Sequence, residues 1–176
     1  MKPKAKAAIA PLQPVVPQPE IGLSVAGAAY IDAAWQANKK KIDVLFCGTH
    51  LWHGGIVGPN NPATNQRGLW TTKDAQKSTR YNRWSKEEAQ KNGVNAYLTE
   101  YITTRDLQLA DFGCFSMKDF MNKYCNSQHN TMKQSLIAWV NTKPELRGLV
   151  AINTAADDVV VAYPADDLNV ISHTII

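Results

Sequence analysis

The chain has 176 residues, 44% of them hydrophobic and 19% charged, with 19 Lys and Arg against 15 Asp and Glu. That length buries one sizeable core but not two ordinary domains with a linker, and the composition excludes a disordered chain. A net charge of +4 permits a nucleic-acid partner without arguing for one, and no apolar run approaches the length of a bilayer span.

Five of the nine prolines, Pro3, Pro11, Pro14, Pro17 and Pro19, fall at the start. They remove amide donors and favour extended backbone, so residues 1–20 read as a flexible proline-rich tail and residues 21–176 as one domain. The basic start and Ala7–Ala10 meet Pro11 before a signal-peptide core develops. That points away from Sec-type secretion and leaves a specialised injection apparatus as a compatible route. Cys47, Cys114 and Cys125 are an odd number without CxxC spacing. Neither a disulfide framework nor a metal site is predicted, and a soluble protein in a reducing compartment is the natural reading.

From Leu23, the residues Ala26, Tyr30, Ala33 and Ala37 recur at helical spacing, predicting a helix over 22–39 closed by Lys39, Lys40 and Lys41. Val44-Leu45-Phe46 before Gly48 reads as a buried strand. The Gly, Pro and Asn content of 54–68 predicts a loop, and Thr72 is placed as the N-cap of a helix to Trp84. Tyr, Thr, Ile and Leu enrich 96–109, which predicts one or two strands. Ser116 and Asp119 resemble a capping box for a helix to about Cys125, and Met132, Leu136 and Val140 mark another that Pro144 ends. Three strands follow, 149–152, 159–163 and 168–173, with turns at 153–157 and 164–167.

Three blocks, in this order, resemble the ADP-ribosyltransferase superfamily. Val44-Leu45-Phe46-Cys47-Gly48-Thr49 is similar to the first NAD-binding strand, which ends in His-Gly-Thr/Ser or Arg-Gly; Leu51-Trp52-His53-Gly54 matches the same motif and is the second choice. Gly68-Leu69-Trp70-Thr71-Thr72, followed by Lys77-Ser78-Thr79-Arg80-Tyr81, is similar to the segment that supplies two aromatic rings around nicotinamide. Asp157-Asp158-Val159-Val160-Val161-Ala162-Tyr163-Pro164 resembles the final catalytic block, with Asp158 in the place of the usual Glu.

The resemblance implies an α+β fold with a split β-sheet and flanking helices, and NAD as a substrate. Cys47, Gly48, Thr49, His53, Trp70, Thr71 and Tyr81 would bind it, with the nicotinamide between Trp70 and Tyr81. Asp158 would hold the ribose and stabilise the positive charge that develops as nicotinamide leaves. The product would be an ADP-ribosylated protein or nucleic-acid acceptor, as in an effector or toxin, with no membrane and no metal involved. Ala156 stands where arginine-directed members carry an acidic or amide residue, which disfavours arginine as the target. Two other readings stay open. The fold is a binding module without turnover, or Cys47 is a hydrolase nucleophile with His50, His53, His129 or His173 as its base.

Overall fold

The computed structural model describes residues 22–60, 62, 68–75, 82–113, 115–150 and 158–176. Within them the fold is mixed α+β, with eight strands in one sheet and five helices. No helix is long and apolar enough to cross a membrane.

Helix α1 (Val25–Ala37) opens on Ser24, whose hydroxyl accepts from the Gly27 amide. Its buried face is Gly27, Ile31 and Trp35, one position off the alanine series that marks the helix in the sequence. Lys39 and Lys40 lie beyond the helix in the left-handed region, and the Lys40 amide closes the end on the Trp35 carbonyl. Strand β1 (Ile42–Leu45) leads through a turn into β2 (His50–Gly55), and β3 (Leu69–Thr72) follows. Sequence patterning does not reveal β2, because paired glycines close it and turn residues follow.

Thr72 ends β3 and accepts from the Asp74 amide; residues 73 and 74 are not helical, so Thr72 lies ahead of the helix and not at its N-cap. Residue 75 is helical, and α2 (Asn82–Asn92) ends well beyond Trp84. The 96–109 segment divides into β4 (Tyr97–Thr103) and β5 (Leu107–Asp111). Ser116 caps α3 (Met117–Tyr124) by accepting from the Asp119 amide, and α4 (His129–Asn141) carries the Met132, Leu136, Val140 stripe into the core. Strands β6 (Gly148–Val150), β7 (Asp158–Val161) and β8 (Leu168–Ile175) complete the sheet, with α5 (Pro164–Asp167) where a turn is predicted. The predicted turn at 153–157 lies outside the described residues.

The strand order is β1-β5-β6-β7-β3-β2-β4-β8, antiparallel except for β5 against β6. Alternation sends one set of side chains, including Ala110, Leu149 and Val160, into a core with α1, α3 and α4. The other set meets on the inner face, where Leu45 and Leu107 from one end of the sheet pack with Leu51, Tyr101 and Leu168 from the other. Strands so far apart in the order can share a core only if the sheet curls. Lys73, just past β3, accordingly reaches Asp43 on β1 across that face at 3.6 Å.

One seam divides the sheet. Strands β2 and β3 share a single register pair, Trp52 with Thr72, whereas β2 and β4 share six. A five-stranded part, β1-β5-β6-β7-β3, therefore joins a three-stranded part, β2-β4-β8, through a narrow connection.

At the end of the five-stranded part, Arg147 holds Asp167 through two parallel bonds, Nε to Oδ2 and Nη2 to Oδ1, each 2.8 Å. Arg105 adds a contact at 3.5 Å, and Asp167 is fully buried. The Arg147 guanidinium lies 4.1 Å from the centre of the Tyr163 ring.

Candidate functional site

The seam brings the sequence blocks together. Trp52 pairs with Thr72 and Thr72 with Asp158, so a single register row crosses β2, β3 and β7. Residues directly opposed on neighbouring strands share a face. Val159 and Val161 fill the inner core and Val160 the helix-side core, so alternation puts Asp158 on the helix face. Trp70 pairs with Val160 and packs against the same helix-side core. Trp70 and Asp158 are thus diagonal neighbours on one face of adjacent strands, about 7 Å apart at the backbone. Asp158 is 8% exposed, which removes most of the water that would otherwise screen its carboxylate.

Thr71 points the other way. It is buried on the inner face, and its hydroxyl donates to the Val159 carbonyl at 2.8 Å, tying β3 to β7.

His53 occupies the seam itself. Its Nδ1 lies 2.6 Å from the Trp70 carbonyl, which can only accept, so Nδ1 carries the proton and Nε2 is the unprotonated nitrogen of the neutral ring. Burial holds the imidazole below its ordinary pKa; the Trp70 carbonyl acts in the opposite direction, and the nearby Lys133 charge adds to the lowering. A depressed histidine stabilises the fold fully above its unfolded pKa, near 6.5, and loses that contribution as pH falls through the lower folded value. Urea unfolding should therefore show stability falling from about pH 7.5 to about pH 5. His53→Gln keeps an amide donor for the Trp70 carbonyl and should flatten that fall. Equal losses in the two proteins would assign the effect to another group, and His129→Gln, whose imidazole is also lowered by burial and by Lys133, serves as the comparison.

Helix α4 covers the site. Ile137 lies so close to Gly68 that a Cβ there would press on it, and Gly68 also takes a φ of +62° open chiefly to glycine. One turn earlier, Lys133 places its Nζ 4.9 Å from the centre of the Trp70 ring. Sequence reading misses Lys133, because it lies more than sixty positions from Trp70 and belongs to a helix recognised only by its apolar stripe.

The Cys47-Gly48-Thr49 segment forms a turn, not the end of a strand. The Cys47 amide donates to the Asp106 carboxylate, Gly48 adopts a φ of +83°, and the Thr49 hydroxyl donates to the Phe46 carbonyl. Cys47 is exposed, and its sulfur lies 3.7 Å from the Thr103 carbonyl on β4. Strand β4 is three positions from β7 in the sheet order, a separation of about 14 Å along the sheet. None of the four histidines bonds to Cys47: His50 pairs with Glu100, His53 with Trp70 and His173 with Thr99. Tyr81, Asp157 and Cys114 lie outside the described residues. Among those described, no group of three or more His, Cys, Asp or Glu side chains could hold a metal ion.

Comparison with protein-family models, curated proteins and solved structures finds no match for this chain.

Proposed function

We propose that the seam between β2 and β3 binds NAD and that the protein transfers ADP-ribose to a macromolecular acceptor. The observation that carries this reading is the Trp52–Thr72–Asp158 row, which sets segments of all three resembling blocks on adjacent strands. For the first block the geometry favours Leu51-Trp52-His53-Gly54, which lies on β2 at the seam, over the Cys47-Gly48-Thr49 turn. The narrow joint between two parts of one sheet also suits a split-sheet, ADP-ribosyltransferase-like fold.

In this reading the nicotinamide ring stacks on Trp70, which Tyr81 would face from the other side, and the attached ribose lies toward Asp158. The glycosidic C1′–N bond breaks with its electron pair kept by the ring nitrogen, so nicotinamide leaves neutral. The ribose takes up the positive charge, which the Asp158 carboxylate stabilises in a site of low water content. The acceptor nucleophile then bonds to C1′ and gives up its proton.

Trp70→Ala should weaken NAD binding by about 1–3 kcal/mol, the range for an aromatic stacking partner. Calorimetric titration measures this directly, and unchanged affinity would remove Trp70 from the site. Release of nicotinamide from NAD by the full chain tests the transferase reading itself.

A further inference from the structure

We infer that Lys133 is a resident cation on the Trp70 ring, displaced by the cationic nicotinamide of the substrate and returning when neutral nicotinamide forms. The inference rests on the NAD reading and adds a product-release role for a residue outside the three blocks.

The Lys133 ammonium sits 4.9 Å from the Trp70 ring centre, within the range where a cation is attracted to an indole face. Lys133 is half-buried on α4, one helical turn from Ile137, which is fixed above Gly68 at the start of β3. The lysine backbone is therefore held over the ring, while its long side chain can swing aside. Lys133 occupies a face of the indole that a stacked ring needs, and two positive groups cannot share it.

The charge changes sign of preference during the reaction. In NAD the pyridinium nitrogen is alkylated and the ring is cationic, so it can replace the ammonium with little loss of attraction to the indole. Once the C1′–N bond has broken, its electron pair rests on the ring nitrogen and the nicotinamide is neutral. Neutral nicotinamide competes poorly with an ammonium for the same surface. Lys133 returns to Trp70, and the product is driven off.

The test uses two small probes, the 1-methylnicotinamide cation and neutral nicotinamide, titrated into the full chain and into Lys133→Gln and Lys133→Met. Methionine keeps the apolar stem over the ring and removes the charge. Both variants should bind the cation about three- to tenfold more tightly than wild type, the scale of a displaced cation–π contact. Neutral nicotinamide should also gain, but by a smaller factor, because both probes are spared the same displacement of the ammonium while only the cation is also spared its repulsion, so the ratio of cation to neutral affinity rises in both variants. Under substrate excess, the variants should show stronger product inhibition by nicotinamide. If NAD binds but neither probe binds the variants more tightly than wild type, the role of Lys133 is overturned and the NAD reading stands. If NAD and both probes fail to bind wild type and both variants alike, the NAD reading is overturned and this inference falls with it.

Discussion

Asp158→Asn should lower nicotinamide release by about 10²-fold or more, the scale of losing one preorganised electrostatic group, with little change in NAD affinity. The substitution keeps size and one acceptor oxygen while removing the charge that, in the NAD reading, would face the developing cation. Asp158 sits opposite Thr72 and on the same face as Trp70, so its carboxylate belongs to the surface on which the ring would stack. Asp158→Glu restores the side-chain length common in the family that the sequence resembles and should match or exceed wild-type turnover. Asp157→Asn, which removes the adjacent carboxylate of the sequence, is the comparison and should have a small effect. A wild-type protein that releases no nicotinamide, with no rescue by Asp158→Glu, would replace the transferase reading with that of a binding module.

The largest expected effect on stability is at Arg147. Arg147→Met should cost about 3–5 kcal/mol, because it strands the buried Asp167 carboxylate without its two-bond partner. Arg105, at 3.5 Å and largely exposed, is a weaker substitute. For a chain of this size the melting temperature should fall by roughly 10 °C. Arg147→Met combined with Asp167→Asn should recover part of the loss, since an uncharged amide tolerates burial better than an unpaired carboxylate. A single variant losing under about 1 kcal/mol, the scale of an exposed pair, would show that Arg105 and solvent suffice. Thermal and urea unfolding of the three proteins decides between these outcomes.

What the sequence reveals and what it hides follow from how local each signal is. Ser116 with Asp119, and the Met132, Leu136, Val140 stripe, are signals within one helix, and both helices form where those residues place them. The alanine series of α1 locates a helix but not its buried face, because small residues mark helical spacing on exposed and buried sides alike. Strand β2 is hidden for a different reason. His50-Leu51-Trp52-His53-Gly54-Gly55 has little β-branched character, and its pairing energy comes from β4, more than forty residues away. The same non-locality governs the candidate site: choosing between Cys47 and His53 depends on which lies beside β3, a register that appears only once the sheet is assembled.

The narrow seam has a consequence for how the molecule is made. Following the chain, β1 lies in the five-stranded part, β2 in the three-stranded part, β3 in the first, β4 in the second, β5 to β7 in the first and β8 in the second. The polypeptide therefore passes between the parts five times, and neither part is a continuous stretch of sequence. The five-stranded part cannot be completed during synthesis until β7 has been made, nor the three-stranded part until β8, the last strand. Pairings over such distances in sequence make slow folding the expectation, and no cut in the chain separates the parts into independent fragments. Two parts of one sheet, joined at a narrow seam and sharing an inner core, are thus built as a single cooperative unit.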